Sequence, residues 1–332
     1  MIKTTVIILF ATFSTMLLTV AFTKKLIPIL KSRSIGQRIL SDGPTWHMAK
    51  EGTPTMGGIG FILASVAPFI LCCILLGKEV VNTKLIALIN VYVYAILNGM
   101  IGVIDDWSKI KKRENKGLSA KGKFFLQSLI AIGFLISINF TSGINTVLEF
   151  SIINYSVNLG AFYYIFAFLL LCGMTNAVNL TDGLDGLAST CVFVVGVLFI
   201  FLSSTIDNGT AISILGAITV GSSLGFLFYN VHPAKVFMGD TGSLFFGGII
   251  ASSTFVVDNP LLVFLYGSVF LIEALSVILQ VVYFKATKGK RLFKMAPLHH
   301  HFEKCGLSEM KIVYIFGAFS AITCLIAFLF SL

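Results

Sequence analysis

The chain has few charged residues. Asp, Glu, Lys and Arg make up 12% of its 332 residues, whereas 56% are hydrophobic and the mean hydropathy is +0.94. A soluble domain typically has about 25% charged residues. The composition therefore excludes an ordinary soluble protein and indicates a polytopic helical membrane protein.

Cysteine is scarce, and internal repeats are absent. Five of the six cysteines lie in apolar runs and Cys305 lies in a polar loop, without the paired spacing of a disulfide framework or a zinc site. We expect the cysteines to have packing roles only. We interpret residues 1–332 as a single membrane domain.

Long apolar runs recur along the chain. We count about ten that could cross about 30 Å of hydrocarbon. Their approximate positions are 5–29, 57–76, 85–104, 124–140, 159–178, 187–204, 211–229, 243–257, 260–284 and 311–331. They do not alternate as barrel strands do, and the first lacks the cleavage pattern of a signal peptide. The predicted fold is an all-α polytopic membrane protein.

Lys and Arg are concentrated in alternate loops. With the N-terminus outside, the cytoplasmic loops would be 30–56, 105–123, 179–186, 230–242 and 285–310. These loops and the adjoining helix ends hold all but three of the 24 basic residues, which predicts that both termini are extracytoplasmic. The net charge of +9 would then face the cytoplasm, where it suits anionic lipids and phosphorylated ligands better than nucleic acid.

Five polar clusters lie at the ends of apolar runs, all in predicted cytoplasmic loops. They are Thr53–Gly58, Asp105-Asp106, Asn179–Asp185, Phe237–Asp240 and His299–His301. A transporter is expected to place ionisable groups near mid-span. Acids and histidines gathered at one interface instead indicate an active site there.

Asp105 and Asp106 end the third apolar run. Because a helix C-terminus already has partial negative charge, two adjacent carboxylates need a nearby cation, either a metal ion or Lys109. Neighbouring residues on a helix point roughly 100° apart, so we expect different roles for the two acids. The alternative is a hydrated pair neutralised by the basic run at 109–113.

The segment Asn179–Gly186 joins two apolar runs without a basic residue. Its two glycines favour a turn whose backbone can approach a ligand, and its amide and carboxylate side chains suit a base or a sugar. The alternative for Asp185 is the N-cap of the next helix.

The segment 233–243 precedes the eighth run. Asp240 suits either a hard cation such as Mg²⁺ or the N-terminal cap of the following helix. Phe237 offers a ring that could stack on a base.

Three consecutive histidines, His299–His301, follow a basic stretch. Consecutive residues on a helix cannot all face one ion, so phosphate binding fits better than zinc, and a structural cluster is the alternative. Glu273 lies inside the ninth run, where Tyr266, Ser276 or Gln280 could satisfy it, and we leave its role unassigned.

The outer loop 141–158 has two short apolar segments. They predict a small hairpin with strands at Val147–Phe150 and Ile152–Tyr155.

Taken together, the motifs resemble the phospho-N-acetylmuramoyl-pentapeptide transferase family of the polyprenyl-phosphate N-acetylhexosamine-1-phosphate transferase superfamily. The resemblance rests on Lys50–Gly58, Asp105–Lys109, Asn179–Gly186, Ala234–Leu244 and Ala296–Glu303. It covers nearly the whole chain. Trp107, where the family often has Tyr, is a mild departure.

The resemblance implies that undecaprenyl phosphate displaces UMP from UDP-N-acetylmuramoyl-pentapeptide, forming lipid I with Mg²⁺ as cofactor. It also implies a plasma-membrane homodimer, sensitive to nucleoside antibiotics. The alternatives are a sister transferase that uses UDP-GlcNAc and, from another class, a transporter for lipid-linked sugars.

The resemblance further implies roles for single residues. Asp240 would be the principal Mg²⁺ ligand, and Asp105 and Asp106 would add a metal contact or a base, with His299 completing the catalytic set. The residues that would hold phosphates are Lys109, Lys121, Lys123, His299 and His300. The uridine end would be formed by Lys50, Asn179, Asp182, Asp185 and Phe237. Asn230 would lie near the metal.

Overall fold

In its described residues the protein is a bundle of helices with one small hairpin. The computed structural model describes residues 2–32, 50–76, 80, 82–112, 117–150, 155–206, 209–257 and 259–332. In chain order the elements are α1 (Ile2–Ser32), α2 (Gly58–Leu76), α3 (Asn82–Lys112), α4 (Ala120–Thr141), β1 (Val147–Phe150), β2 (Tyr155–Asn158), α5 (Phe162–Thr181), α6 (Leu187–Leu202), α7 (Thr210–Asn230), α8 (Gly239–Ser252), α9 (Thr254–Val257), α10 (Val263–Tyr266), α11 (Ser268–Ala286), α12 (Leu298–Lys304) and α13 (Glu309–Leu329).

Nine helical segments in the described part of the chain are long and apolar enough to span a membrane. They confirm the prediction of an all-α polytopic membrane protein. The predicted sixth span, 187–204, is a shorter helix: α6 has 16 residues. At about 1.5 Å per residue it is about 24 Å long.

The predicted ninth span, 260–284, is interrupted. A 3₁₀ turn at Pro260–Leu262 and the short α10 precede Gly267, whose backbone (φ −94°, ψ 7°) leaves the helical region before α11 begins. A Cβ at position 267 would lie 2.6 Å from the terminal methyl group of Met174 on α5. Glycine therefore lets α5 approach the break closely, a contact that hydropathy alone does not reveal.

The predicted hairpin is present, with one strand shifted. β1 matches the predicted first strand, and β2 begins at Tyr155, the last residue of the predicted second strand, and continues to Asn158. The strands are antiparallel, with Val147 opposite Asn158 and Phe150 opposite Tyr155. Residues 151–154 lie outside the described residues.

The centre of the bundle is formed by α7 and α8, which are almost entirely buried. Small residues allow this close packing, as is usual between membrane helices. Gly102 of α3 lies directly against the carbonyl group of Asp240, and Gly247 of α8 lies against Thr175 of α5. The N-terminus of α8 is thus enclosed by neighbouring helices, which position the site described next.

Candidate active site

The N-terminus of α8 is capped by a residue of another helix. Asp106, near the C-terminus of α3, accepts hydrogen bonds from the backbone N–H groups of Asp240 (3.2 Å) and Thr241 (3.0 Å), and from the Thr241 hydroxyl (2.8 Å). The first N–H groups of a helix lack intrahelical partners, so these bonds satisfy α8 and hold α3 against it. Gly239, at φ +70°, leaves room for the Asp106 carboxylate.

Asp240 itself does not cap α8, so the alternative of an N-cap role is wrong. Its Oδ2 atom accepts from the Lys109 ammonium at 3.0 Å and from the Lys123 ammonium at 2.8 Å. Its Oδ1 atom accepts from the Asn179 amide at 2.9 Å, and the same amide donates to the Ser243 hydroxyl at 2.7 Å. Side chains of α3, α4 and α5 therefore meet on one carboxylate of α8.

Asp105 has different partners from Asp106, as the angle between neighbouring helical residues predicted. Its Oδ2 atom is paired with Lys109 at 2.7 Å, and its Oδ1 atom accepts from the backbone N–H of Leu118 at 2.8 Å. The Lys109 ammonium also lies 3.6 Å from Asp106. Lys109 therefore supplies the positive charge that two acids at the negative end of a helix require.

Asp105, Asp106 and Asp240 form a group that we call the carboxylate triad. Each offers an oxygen atom, and these three atoms lie within 4.8 Å of one another. Asp105 and Asp106 are buried and Asp240 is half-buried. Hard divalent cations such as Mg²⁺ prefer carboxylate oxygens, so the donor set fits such an ion. The Lys109 ammonium lies within 3.6 Å of all three acids. The three carboxylates can therefore interact with the same cation.

A second charged group lies around Lys50, and we call it the Lys50 cluster. The Lys50 ammonium is paired with Asp185 at 2.7 Å and with Glu309, in the first turn of α13, at 2.6 Å. The other Asp185 oxygen faces Nδ1 of His232 at 3.0 Å and accepts from the backbone N–H of Ala234 at 3.0 Å. The cap of α6 is Gly186, not Asp185, so the capping alternative for Asp185 is wrong as well.

Phe237 lies in the chain between Ala234, which contacts the Lys50 cluster, and Asp240 of the carboxylate triad. Its backbone N–H donates to the carbonyl of Pro54 at 2.8 Å, and its carbonyl accepts from Gly57 at 2.8 Å. These bonds join the segment before α2 to the segment before α8. The Phe237 ring is half-buried.

The three consecutive histidines of α12 have three different partners. His299 faces Glu273 of α11, His300 faces Glu303 at 2.7 Å, and Nδ1 of His301 accepts from the backbone N–H of Lys294 at 3.1 Å. They do not form a common metal site, in agreement with the sequence argument. For Glu273 the suggested partners Tyr266, Ser276 and Gln280 are wrong, because its carboxylate contacts His299.

Asp182 is half-buried in the turn between α5 and α6. Burial raises the pKa of its carboxyl group from 3.8 to about 8, with further contributions from the negative charges of Asp240, Asp106 and Asp185. The group is therefore mostly protonated at neutral pH and can donate a hydrogen bond to a ligand.

The described contacts of two other predicted residues do not include the carboxylate triad. The amide of Asn230 is buried between the Ser189 hydroxyl, which donates to it at 2.9 Å, and the Val236 carbonyl, to which it donates at 3.1 Å. It therefore fixes the segment after α7 rather than facing the triad. Lys121 is exposed in the first turn of α4, while Lys123, two residues on, reaches Asp240.

Some residues of the site were not found from the sequence. Glu309 and His232 complete the Lys50 cluster, and Ser243 holds the Asn179 amide. The only signals were an acid in the first turn of the last span and a histidine beside the 233–243 segment. Both residues look like ordinary interfacial groups without the fold.

Comparison with known proteins defines the class. The glycosyl transferase family 4 profile matches residues 88–258, which include the carboxylate triad and the Asn179–Gly186 segment. With its helical bundle and its cluster of acids and lysines, the chain is a membrane-embedded transferase of this class.

Curated relatives give the particular family. Proteins named phospho-N-acetylmuramoyl-pentapeptide-transferase from Clostridium acetobutylicum, Staphylococcus aureus and Clostridioides difficile are 44%, 45% and 42% identical to this chain. The alignments cover 91%, 91% and 87% of this chain, and 92%, 92% and 87% of the respective relatives. The chain belongs to the phospho-N-acetylmuramoyl-pentapeptide-transferase family.

Proposed function

We propose that this protein transfers phospho-N-acetylmuramoyl-pentapeptide from UDP-N-acetylmuramoyl-pentapeptide to undecaprenyl phosphate, forming lipid I and UMP. An oxygen of the lipid phosphate attacks the sugar-bearing phosphorus of the donor. The bond from that phosphorus to the bridging oxygen breaks, and UMP leaves with this oxygen. The observation that carries the proposal is the carboxylate triad with Lys109 and Lys123, in a chain of this family.

Positioning and charge neutralisation are the main requirements of phosphoryl transfer. Lys109 and Lys123, which now pair with Asp240, are the cations that would meet substrate phosphates. Carboxylate and amide partners hold both lysines beside the triad, where Mg²⁺ and substrate phosphates would share or replace these contacts. Lys121 would add a more exposed charge at the mouth of the site.

Mg²⁺ is proposed as the cofactor, held by Asp240 and Asp105. Asp106 is less suited to this role, because both of its oxygens accept hydrogen bonds from the N-terminus of α8. The ion would neutralise charge on the pyrophosphate. A phosphate monoester with a second pKa of about 6 is already mostly ionised at pH 7, so neither Asp105 nor Asp106 is required as a base.

The uridine end of the donor is proposed to lie beside the Lys50 cluster. Asp182 and Phe237 would contact the base, by a hydrogen bond and by ring stacking respectively. Lys50 and Asp185 are paired with each other, so their role includes shaping this part of the site. Asn179 bonds to Asp240 and is better placed to orient that carboxylate than to contact uridine.

The site is proposed to face the cytoplasm from a bacterial plasma membrane. A nucleotide donor arrives from the cytosol and a lipid acceptor through the bilayer, so their phosphates can meet only at the interface. The concentration of Lys and Arg in the loops on this side supports the orientation. A homodimer and inhibition by uridine-containing antibiotics are further proposals, and both rest on the family resemblance.

The experiment is a UMP-release assay on the purified protein with undecaprenyl phosphate and Mg²⁺. UDP-N-acetylmuramoyl-pentapeptide and UDP-GlcNAc are supplied together in equal amounts. We expect UMP release with incorporation of the muramoyl-pentapeptide product only. Preferential use of UDP-GlcNAc would overturn the choice of substrate, and the absence of UMP release with either donor would overturn the proposed reaction.

A further inference from the structure

Glu273 is a fully buried acid in the apolar helix α11, and it contacts α12. One carboxylate oxygen accepts from the backbone N–H of His299 at 3.1 Å, and the other faces Nδ1 of the same residue at 3.0 Å. A buried charge within a membrane span is costly unless it is paired. Both described contacts of the carboxylate go to one histidine, which it holds by its backbone and its ring.

This contact determines which ring atom of His299 is available. An ionised carboxylate only accepts hydrogen bonds, so the proton must be on Nδ1 and the other ring nitrogen, Nε2, remains for another partner. His299 is 1% exposed, and its Nε2 has no hydrogen-bond partner within the described residues. A buried polar atom without a partner is unusual and calls for a ligand or another explanation.

The ring is also fixed from its opposite side. A Cβ at position 183 would overlap Nε2 of His299, so only glycine fits there. Gly183 belongs to the turn between α5 and α6, next to Asp182, and the Asn179 amide just before this turn bonds to Asp240. Nε2 is thus directed at a segment that is connected to the carboxylate triad.

We propose that Glu273 is a positioning residue of the transfer reaction, which holds the His299 ring so that its Nε2 faces the substrate beside Gly183. The inference rests on the proposed function and deepens it. Such carboxylate–histidine pairs fix the tautomer and orientation of a histidine in many active sites.

A purely structural role makes different predictions. If Glu273 only pinned α12 to α11, its removal would lower stability and activity together. If it acts through His299, the isosteric Glu273→Gln leaves one acceptor for the backbone N–H and keeps the packing. It nevertheless loses the second acceptor that keeps the proton on Nδ1.

The first experiment measures UMP release and thermal unfolding for the full-length wild type and for Glu273→Gln. We expect kcat to fall by about 10-fold to 100-fold, as for other residues that orient a functional histidine, while the KM for UDP-N-acetylmuramoyl-pentapeptide and the melting temperature change little. Ser276→Ala is the matched control, because Ser276 is a buried polar residue one turn along α11 that bonds only to the Glu273 carbonyl in the described contacts. We expect it to keep wild-type kcat.

The second experiment compares Glu273→Gln in the wild type with Glu273→Gln in a His299→Gln background. If Glu273 acts through His299, the double variant is no slower than His299→Gln alone, since residues that act as a unit are not additive. Gly183→Ala, which displaces the ring from the other side, should lower kcat in the same way.

Three results would overturn the inference. They are full kcat in Glu273→Gln, multiplicative losses in the double variant, and loss of folding in Glu273→Gln, which would indicate a structural role. If the wild type itself releases no UMP, the proposed function fails instead. The two failures are therefore distinguishable.

Discussion

Each acid of the carboxylate triad has its own set of donors. Asp106 caps α8, Asp105 receives Lys109 and the Leu118 amide, and Asp240 receives two lysines and Asn179. Asp105 and Asp106 could be singled out from the sequence, because two adjacent carboxylates at the negative end of a helix are unfavourable without a nearby cation. The sequence predicted that Asp105 and Asp106 differ in role, but not which donors each receives, because donors such as Leu118 and Thr241 lie elsewhere in the chain.

The partners of Lys50 could not be predicted. Lys50 is 135 positions from Asp185 and 259 positions from Glu309 in the chain. No local pattern indicates such pairs, because helix packing alone brings these residues together. The same holds for Glu273, whose partner His299 lies 26 residues further on in α12 rather than on a neighbouring turn.

The first residue-scale prediction concerns Asp182. Its raised pKa means that between pH 3.8 and about 8 the native state keeps a proton that the unfolded state has lost. The contribution of Asp182 to stability therefore decreases as pH rises through this range. In Asp182→Asn this dependence is absent, so the variant should gain in melting temperature relative to the wild type from pH 6 to pH 8, and the difference should then level off.

Thermal unfolding of both proteins at several pH values checks this. Saturating Mg²⁺ provides the control: because the charges of Asp240 and Asp106 help to raise the pKa of Asp182, a cation among them should move the levelling-off to lower pH. A melting-temperature difference that does not vary with pH would contradict the assignment.

At the scale of elements, the central position of α8 depends on glycines at its contacts.

The positions of most helices could be predicted from apolar runs, because span length is set by the bilayer. The break at Gly267 and the short α6 could not, since hydropathy measures apolarity and not how closely two helices approach.

The element-scale prediction concerns Gly102 of α3. A Cβ at this position would overlap the Asp240 carbonyl, which is rigid backbone. We expect Gly102→Ala to destabilise the protein by about 1–3 kcal/mol, and to reduce activity because α3 moves away from the α8 N-terminus.

The matched control is Gly133→Ala on α4, where no heavy atom lies within 4 Å of the added Cβ. This variant should be neutral or more stable by up to about 1 kcal/mol, because alanine favours a helix. Thermal unfolding in detergent measures both. Equal melting temperatures for the two variants would show that close packing at Gly102 is unimportant.

At the scale of the whole molecule, residues from widely separated loops meet at one end of the bundle. The alternation of spans and loops predicted that all five polar clusters share one side of the membrane. The structure brings them together through direct contacts, among them Phe237 with Pro54, Asn179 with Asp240 and His299 with Gly183. The side of the membrane on which they lie remains a prediction.

Thiol labelling in intact cells tests this orientation. Cys305, which follows α12, is exposed and should react with a membrane-impermeant reagent only after the membrane is opened. The exposed Ser156 on β2 lies in the outer hairpin, so Ser156→Cys in a Cys305→Ser background should react in intact cells. Labelling of Cys305 in intact cells would place the site on the other face.

The central claim is that the carboxylate triad is the site of phosphoryl transfer, with Asp240 as its main metal ligand. The most direct test is the rate of UMP release by Asp240→Asn from UDP-N-acetylmuramoyl-pentapeptide, undecaprenyl phosphate and Mg²⁺, next to the wild type and Glu149→Gln, a variant of an exposed residue of β1. We predict that Asp240→Asn is slower by about 100-fold or more, while Glu149→Gln is unaffected and all three proteins remain folded. Wild-type activity in a folded Asp240→Asn protein would contradict the account.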